Sequence, residues 1–154
     1  MSGKPSSEPL LEFHEQIVNL VKKYRFRDRN QIACFGVSVS QCYVMETLHT
    51  HGSQTIRDLA RRMFLSVSTL SRVVETLVAK GYVERREAPD DRRVRLVTLT
   101  PGGVSIRRQC WENVLRSEKT IFENIPQGHR SSVIRVLSRL NQAVDRWQSR
   151  CETL

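Results

Sequence analysis

Residues Gln54–Thr100 read QTIRDLARRMFLSVSTLSRVVETLVAKGYVERREAPDDRRVRLVTLT, and the order of signals in that run decides the fold. Thr55 with Asp58 three residues on has the pattern of a helix N-cap, which predicts a short helix to about Met63. Ser66 or Ser68 opens a second helix, and Gly81 closes it. Tyr82–Arg86 and Val94–Leu99 then read as strands, the second alternating Val94, Leu96 and Thr98 with Arg95, Val97 and Leu99. Between them EAPDD carries the Pro and Asp that favour a turn.

Outward from that run the chain is helical. After a flexible lead-in over residues 1–9, Leu10, Phe13, Ile17, Leu20, Val21 and Tyr24 recur at spacings of three and four, predicting an amphipathic helix that ends near the charged cluster Lys22–Arg29. Gly36 breaks the pattern, and Ser40 caps a helix that stops at Gly52. Thr100 followed by Pro101 predicts the start of another, with Val104, Trp111, Val114, Leu115, Ile121 and Phe122 on its apolar side. Pro126 opens the last, in which Val133, Leu137, Leu140, Val144, Trp147 and Cys151 form a coiled-coil-like seam that wants a partner helix. The expected fold is mainly α with a small β-hairpin wing. It is a winged helix-turn-helix over residues 37–100 within one domain, residues 10–154, flanked by helical segments 10–36 and 101–154.

Charge supports a polyanionic partner. The 154 residues carry a formal net charge of +9. The excess is +1 over residues 1–53, +4 over residues 54–100 and +4 over residues 101–154. No stretch has the eighteen or so uninterrupted apolar residues of a membrane span, and MSGKPSSEPLLEF lacks the apolar core of a secretion signal. A soluble cytoplasmic protein with no membrane partner is expected.

On the helix opened by Ser66, the apolar residues Val67, Leu70, Val73, Val74, Leu77 and Val78 fall on one side of the helical wheel. Ser68, Thr69, Arg72, Glu75 and Thr76 fall on the other, with Ser71 at the margin. Short polar side chains near the helix start permit close approach to base edges, and arginine one turn on can bond guanine O6 and N7. Arg92, Arg93 and Arg95 lie at or just past the turn, where a loop can place guanidinium groups in a narrow minor groove. Asp91 is expected to brace that loop by pairing with an arginine or capping the turn. A solvated polar face and an ordinary charged hairpin explain each element taken singly; their adjacency points to double-stranded DNA.

The segment Ser38–Thr100 resembles the MarR family of bacterial transcriptional regulators. The matching pieces are SQCYVMETLHTHG, TIRDLARRM with STLSRVVETLVAKGYVERR, and DDRRVRLVTLTPGG, the last by its Asp91-x-Arg93 followed, after five intervening residues, by Leu99-Thr100. The resemblance implies a homodimer whose N- and C-terminal helices intertwine, a recognition helix in the major groove and wing arginines in the minor groove. It also implies repression relieved by a small molecule or by thiol oxidation. A two-fold dimer in turn implies a pseudo-palindromic operator.

Cys34 and Cys42 bracket FGVSVSQ, where the family usually forms its effector pocket. Two thiols there could bind a soft metal or metalloid, or sense oxidants if cations such as Arg29 depress a thiol pKa. Both also suit the role of small buried hydrophobes, and the chain has no cysteine near the start of its first helix, where the peroxide-sensing branch keeps one. Cys151 lies on the seam of the last helix, and Cys110 pairs with no motif. His14, His49, His51 and His129 show no zinc-ligand spacing, and no phosphate-binding glycine loop or GxSxG occurs. No cofactor, metal or enzymatic activity is expected. Two other classes account for part of the sequence: a winged-helix protein-interaction module, and a thiol-based ligand or metal-binding protein without a DNA role.

Overall fold

The computed structural model describes residues 8–32 and 35–151. Its elements in chain order are α1 (Glu8–Ile32), α2 (Val39–His51), β1 (Gln54–Thr55), α3 (Ile56–Met63), α4 (Val67–Ala79), β2 (Val83–Glu87), β3 (Arg95–Leu99), α5 (Pro101–Glu123) and α6 (Gln127–Cys151). One compact unit runs to Val114 and a second begins at Leu115, with α5 passing continuously from one into the other.

Side-chain caps fix the helix starts. Ser38, not Ser40, caps α2: its hydroxyl accepts from the Gln41 amide at 3.2 Å while the Gln41 side chain accepts from the Ser38 amide at 3.0 Å. Thr55 caps α3 by accepting from the Asp58 amide at 3.1 Å, and Ser66 caps α4 by accepting from the Thr69 amide at 3.2 Å. Gly52 and Gly81, at φ 73° and 72°, take the chain out of α2 and α4.

Helix α1 continues through the charged cluster that was expected to end it. Asp28 there is buried, accepting from Arg27 at 2.7 Å and from the Tyr43 hydroxyl at 2.7 Å, so α2 covers this turn and the helix extends to the buried Ile32. Pattern reading mistook a buried polar network for a solvated terminus.

The three strands form an antiparallel sheet in the order β1-β3-β2. Val83 pairs with Leu99, Arg85 with Val97 and Glu87 with Arg95, and two-residue β1 sets Gln54 against Val97. Strand β1 is too short to carry a period, which is why the sequence does not announce it. Val94, expected in the second strand, belongs to the preceding bend and donates its amide to the Asp91 carbonyl at 2.9 Å.

The core of the first unit gathers Leu48 and Met45 of α2, Leu59 of α3, Leu70, Val74 and Leu77 of α4, and Val83 and Val97 of the sheet. Val67 and Val78, expected on the docked face of α4, are exposed, because the buried stripe is limited to Leu70, Val74 and Leu77, with Val73 half-buried against the core. At the base of the hairpin, Thr100 accepts from the Gly103 amide at 3.1 Å and donates to the Gly81 carbonyl at 2.6 Å. A Cβ on Gly103 would stand 1.9 Å from the Tyr82 carbonyl oxygen.

Gly103→Ala must therefore displace backbone, and we expect a loss of about 3 kcal/mol of unfolding free energy, read from urea denaturation. Gly128→Ala, where an added Cβ meets nothing within 4 Å, serves as the control and should gain roughly 0.5 kcal/mol. Equal effects at the two sites would contradict the close approach.

Candidate nucleic-acid interface

Burial of the inner stripe of α4 leaves Ser66, Ser68, Thr69, Arg72, Glu75 and Thr76 exposed, with Ser71 half-buried at the edge. The hydroxyls at the helix start are close together: the Ser66 hydroxyl donates to Thr69 Oγ1 at 2.8 Å and lies 3.1 Å from Ser68 Oγ. They sit on the N-terminal turn, whose free amides attract phosphate oxygens. Arg72 is exposed and carries no ion pair among the described residues.

In the wing, Asp91 Oδ1 accepts from the Arg93 amide at 2.9 Å and from Arg93 Nε at 3.2 Å. The Asp91 carbonyl accepts from Val94, and the Val94 carbonyl from Ala88, so one residue organises the tip through both its side chain and its backbone. Arg95 pairs with Glu87 across the hairpin at 3.1 Å. Arg92 is exposed and has no ion pair among the described residues. The Arg93 side chain is 92% exposed, so its pair with Asp91 is worth little and a phosphate could replace the carboxylate at small cost.

Sequence reasoning passed over two groups. Arg85 at the wing base reaches Glu75 of α4 at 3.9 Å, bridging the two elements. On α3, Arg57, Arg61 and Arg62 are exposed beside the same surface, Arg61 resting on Asp58 at 3.2 Å and Arg62 on Gln54 at 3.4 Å. Their spacing, four and five residues on from Arg57, is the signal in the sequence that places them together on α3.

The junction between α1 and α2 holds a cavity of about 700 Å³ lined by Lys22, Arg25, Phe26, Asp28, Arg29, Val39, Ser40 and Tyr43. A hollow of about 330 Å³ beside it shares Arg29, Val39 and Ser40. Lys80, the residue ending α4, donates its ammonium to the Gly36 carbonyl at 2.6 Å and to Gln41 Oε1 at 3.1 Å. The same Gln41 closes the cap of α2, so this junction is tied directly to the end of α4.

Of the expected cysteine pair, the structure places Cys42 alone. Cys34 lies outside the described residues, as does the side chain of Cys151. Cys42 is fully buried beside Cys110, and its thiol is pushed up to about 12, first by burial and then by the Cys110 sulfur, Glu46 and Asp28. No cation lowers it, and a thiol held protonated is a poor nucleophile. Tyr43 is likewise raised to about 12 by burial and by its bond to Asp28. Among the described residues no cluster of three His, Cys, Asp or Glu is placed to hold a metal, and no helix is long and apolar enough to cross a membrane.

Residues 35–94 match the model of the MarR family. The HTH-type transcriptional regulator YdgJ of Bacillus subtilis is 27% identical over 140 residues, covering 91% of this chain and 82% of its own. The multiple antibiotic resistance protein MarR of Salmonella typhimurium is 31% identical over 81 residues, 53% of this chain and 56% of its own. In fold, the chain resembles a MarR family protein from Bacillus stearothermophilus with a TM-score of 0.83 at 19% identity, covering 92% of this chain and 99% of the other. It also resembles a mutant MarR from Escherichia coli complexed with operator DNA, with a TM-score of 0.74 at 22% identity over 89% and 99% of the two chains.

Cys42 and Tyr43 both hold their protons more tightly when folded than their ordinary values of 9.0 and 10.0. Their contribution to stability is therefore complete below pH ~9 and is lost as pH climbs toward ~12, where the unfolded chain releases protons first. The urea midpoint should fall across that window, and Tyr43→Phe should make the fall shallower. A midpoint flat to pH ~11 would contradict the burial of both groups.

Proposed function

We propose that the chain is a MarR family regulator, a homodimeric, sequence-specific repressor of transcription that binds a pseudo-palindromic operator and is released by a small molecule. Recognition would rest on Ser66, Ser68, Thr69, Ser71 and Arg72 in the major groove. Arg92, Arg93 and Arg95 would enter the minor groove from a wing braced by Asp91. The observation that carries this reading is the exposure, on neighbouring elements of the family-matching segment, of Arg72 and Arg92, neither paired with a carboxylate among the described residues. Arg57, Arg61 and Arg62 would add phosphate contacts from α3, where the first helix of such a motif crosses the backbone.

The dimer is supported by the apolar side chains exposed on each of α1 and α6, among them Leu10, Leu11 and Phe13 on the first and Leu137, Val144 and Trp147 on the second. A two-fold partner would remove both sets from water. For the effector, the cavity between α1 and α2 offers Lys22, Arg25 and Arg29 together with Phe26 and Tyr43, which suits a small anionic aromatic compound. Lys80 provides the route by which occupancy there reaches α4. Release by oxidation of Cys42 is disfavoured by its protonated, buried state.

Operators selected from a random duplex pool supply the test. Arg72→Ala should change which sequences are preferred, costing about 1 to 3 kcal/mol at one base position. Arg92→Ala should weaken all sequences alike and reduce the slope of log affinity against log salt by ~0.9 for one lost phosphate contact. Wild-type protein that shows no duplex binding at low salt would sink the repressor and favour a protein-interaction role for the same fold.

A further inference from the structure

Phe64 occupies a position whose backbone suits a residue without a side chain. It ends α3 in the left-handed region, at φ 52° and ψ 40°, and no other non-glycine among the described residues has a positive φ. The turn demands that backbone: the Leu65 amide donates to the Ala60 carbonyl at 3.0 Å and the Phe64 amide to the Arg61 carbonyl at 3.3 Å, the paired bonds that close a helix through a left-handed residue. Glycine adopts it freely, whereas the Cβ of a bulky side chain crowds the backbone there. The ring contributes little to the fold in other ways. Phe64 is 73% exposed, more than any other large apolar side chain among the described residues, while Leu65 beside it is half-buried and packs on the core.

The other large apolar side chains more than 60% exposed, Leu10, Val136 and Trp147, lie on α1 and α6, the helices that the dimeric reading assigns to a second copy. Phe64 lies on neither; it sits in the turn between α3 and α4. Residues 61–72 contain Arg61, Arg62 and Arg72 and no carboxylate. Arg61 and Arg62 are exposed three and two positions before Phe64. Ser66, whose hydroxyl caps α4, follows two positions after it, a length of chain no greater than about 7 Å. A duplex backbone alternates phosphates, which cations and hydroxyls bind, with deoxyribose carbons, which suit an apolar surface. An exposed ring set between guanidinium groups and hydroxyls matches that alternation.

We infer that Phe64 lies against the sugars of the duplex at the edge of the groove that receives α4, so that the left-handed turn carries the ring for binding and not for stability. This rests on the DNA-binding reading above and adds to it an apolar contact among charged and hydroxyl ones. A contact to sugar strengthens binding to every sequence alike and releases no counterion, which sets it apart from both Arg72 and Arg92.

Wild-type protein, Phe64→Gly, Phe64→Asn and Phe64→Leu, each titrated over a range of salt with a selected operator and with a random duplex, test it. Phe64→Gly should unfold at a urea concentration no lower than that of the wild type, because glycine relieves the turn. It should nonetheless lose about tenfold in affinity for both duplexes, with the slope of log affinity against log salt unchanged. Phe64→Asn, which tolerates the left-handed backbone without restoring an apolar surface, should show the same loss; wild-type affinity there would trace the effect to a slackened turn and overturn the inference. Phe64→Leu keeps apolar bulk and should recover part of the loss, and no recovery overturns the contact. A lowered urea midpoint in Phe64→Gly would mean that the ring supports the fold, and a reduced salt slope would trace the loss to displaced cations; either overturns it. Wild-type binding matched by an unaffected Phe64→Gly removes the sugar contact alone and leaves the ring to a protein partner. Wild-type protein that binds neither duplex at low salt overturns the DNA-binding reading itself and this contact with it.

Discussion

Burial of one stripe of α4 governs the rest of that helix's exposed surface. Leu70, Val74 and Leu77 are fully buried against α2, α3 and the sheet, and each removes on the order of 2 kcal/mol of apolar surface from water. Because the stripe is narrow, the opposite side of a thirteen-residue helix must face outward whatever its composition. The sequence fills it with hydroxyls and one unpaired arginine. The packing thus determines the direction in which the polar face points, and the polar residues add chemistry to an orientation they did not create.

The wing follows a different logic, since little of its tip is buried. Its shape comes from hydrogen bonds around Asp91 and from cross-strand pairs such as Arg95 with Glu87. Exposed pairs of this kind contribute little stability, so the arginines of the tip are held only loosely to their carboxylates. A hairpin stapled by buried charges would hold its shape better and release its cations less readily. Net charge in the segment is modest, so placement of individual guanidinium groups matters more than bulk attraction.

Much of this was legible in the sequence, for identifiable reasons. Thr55 with Asp58, Ser66 and Thr100-Pro101 are local signals, and local hydrogen bonding decides helix starts, so those elements begin where the sequence predicts. What escaped was non-local. The turn at Asp28 is polar in sequence, yet Tyr43, fifteen residues on, buries it. Cys42 lies beside Cys110, far along the chain, because α2 and α5 meet in the core. Ser38 capped α2 in place of Ser40 because Gln41 completes a reciprocal pair with it. Lys80 reads as one more cation after a helix; only the fold shows it fastened to Gly36 and Gln41.

Thr100 and Gly103 bring the end of α4, the base of the hairpin and the first turn of α5 within hydrogen-bonding distance, with no room for a side chain between them. The span from helix to hairpin is consequently a gauge of set width. On the reading proposed above, a duplex that meets it would do the adjusting, and stretches whose narrower channel pinches cheaply would be favoured even at base pairs no side chain touches.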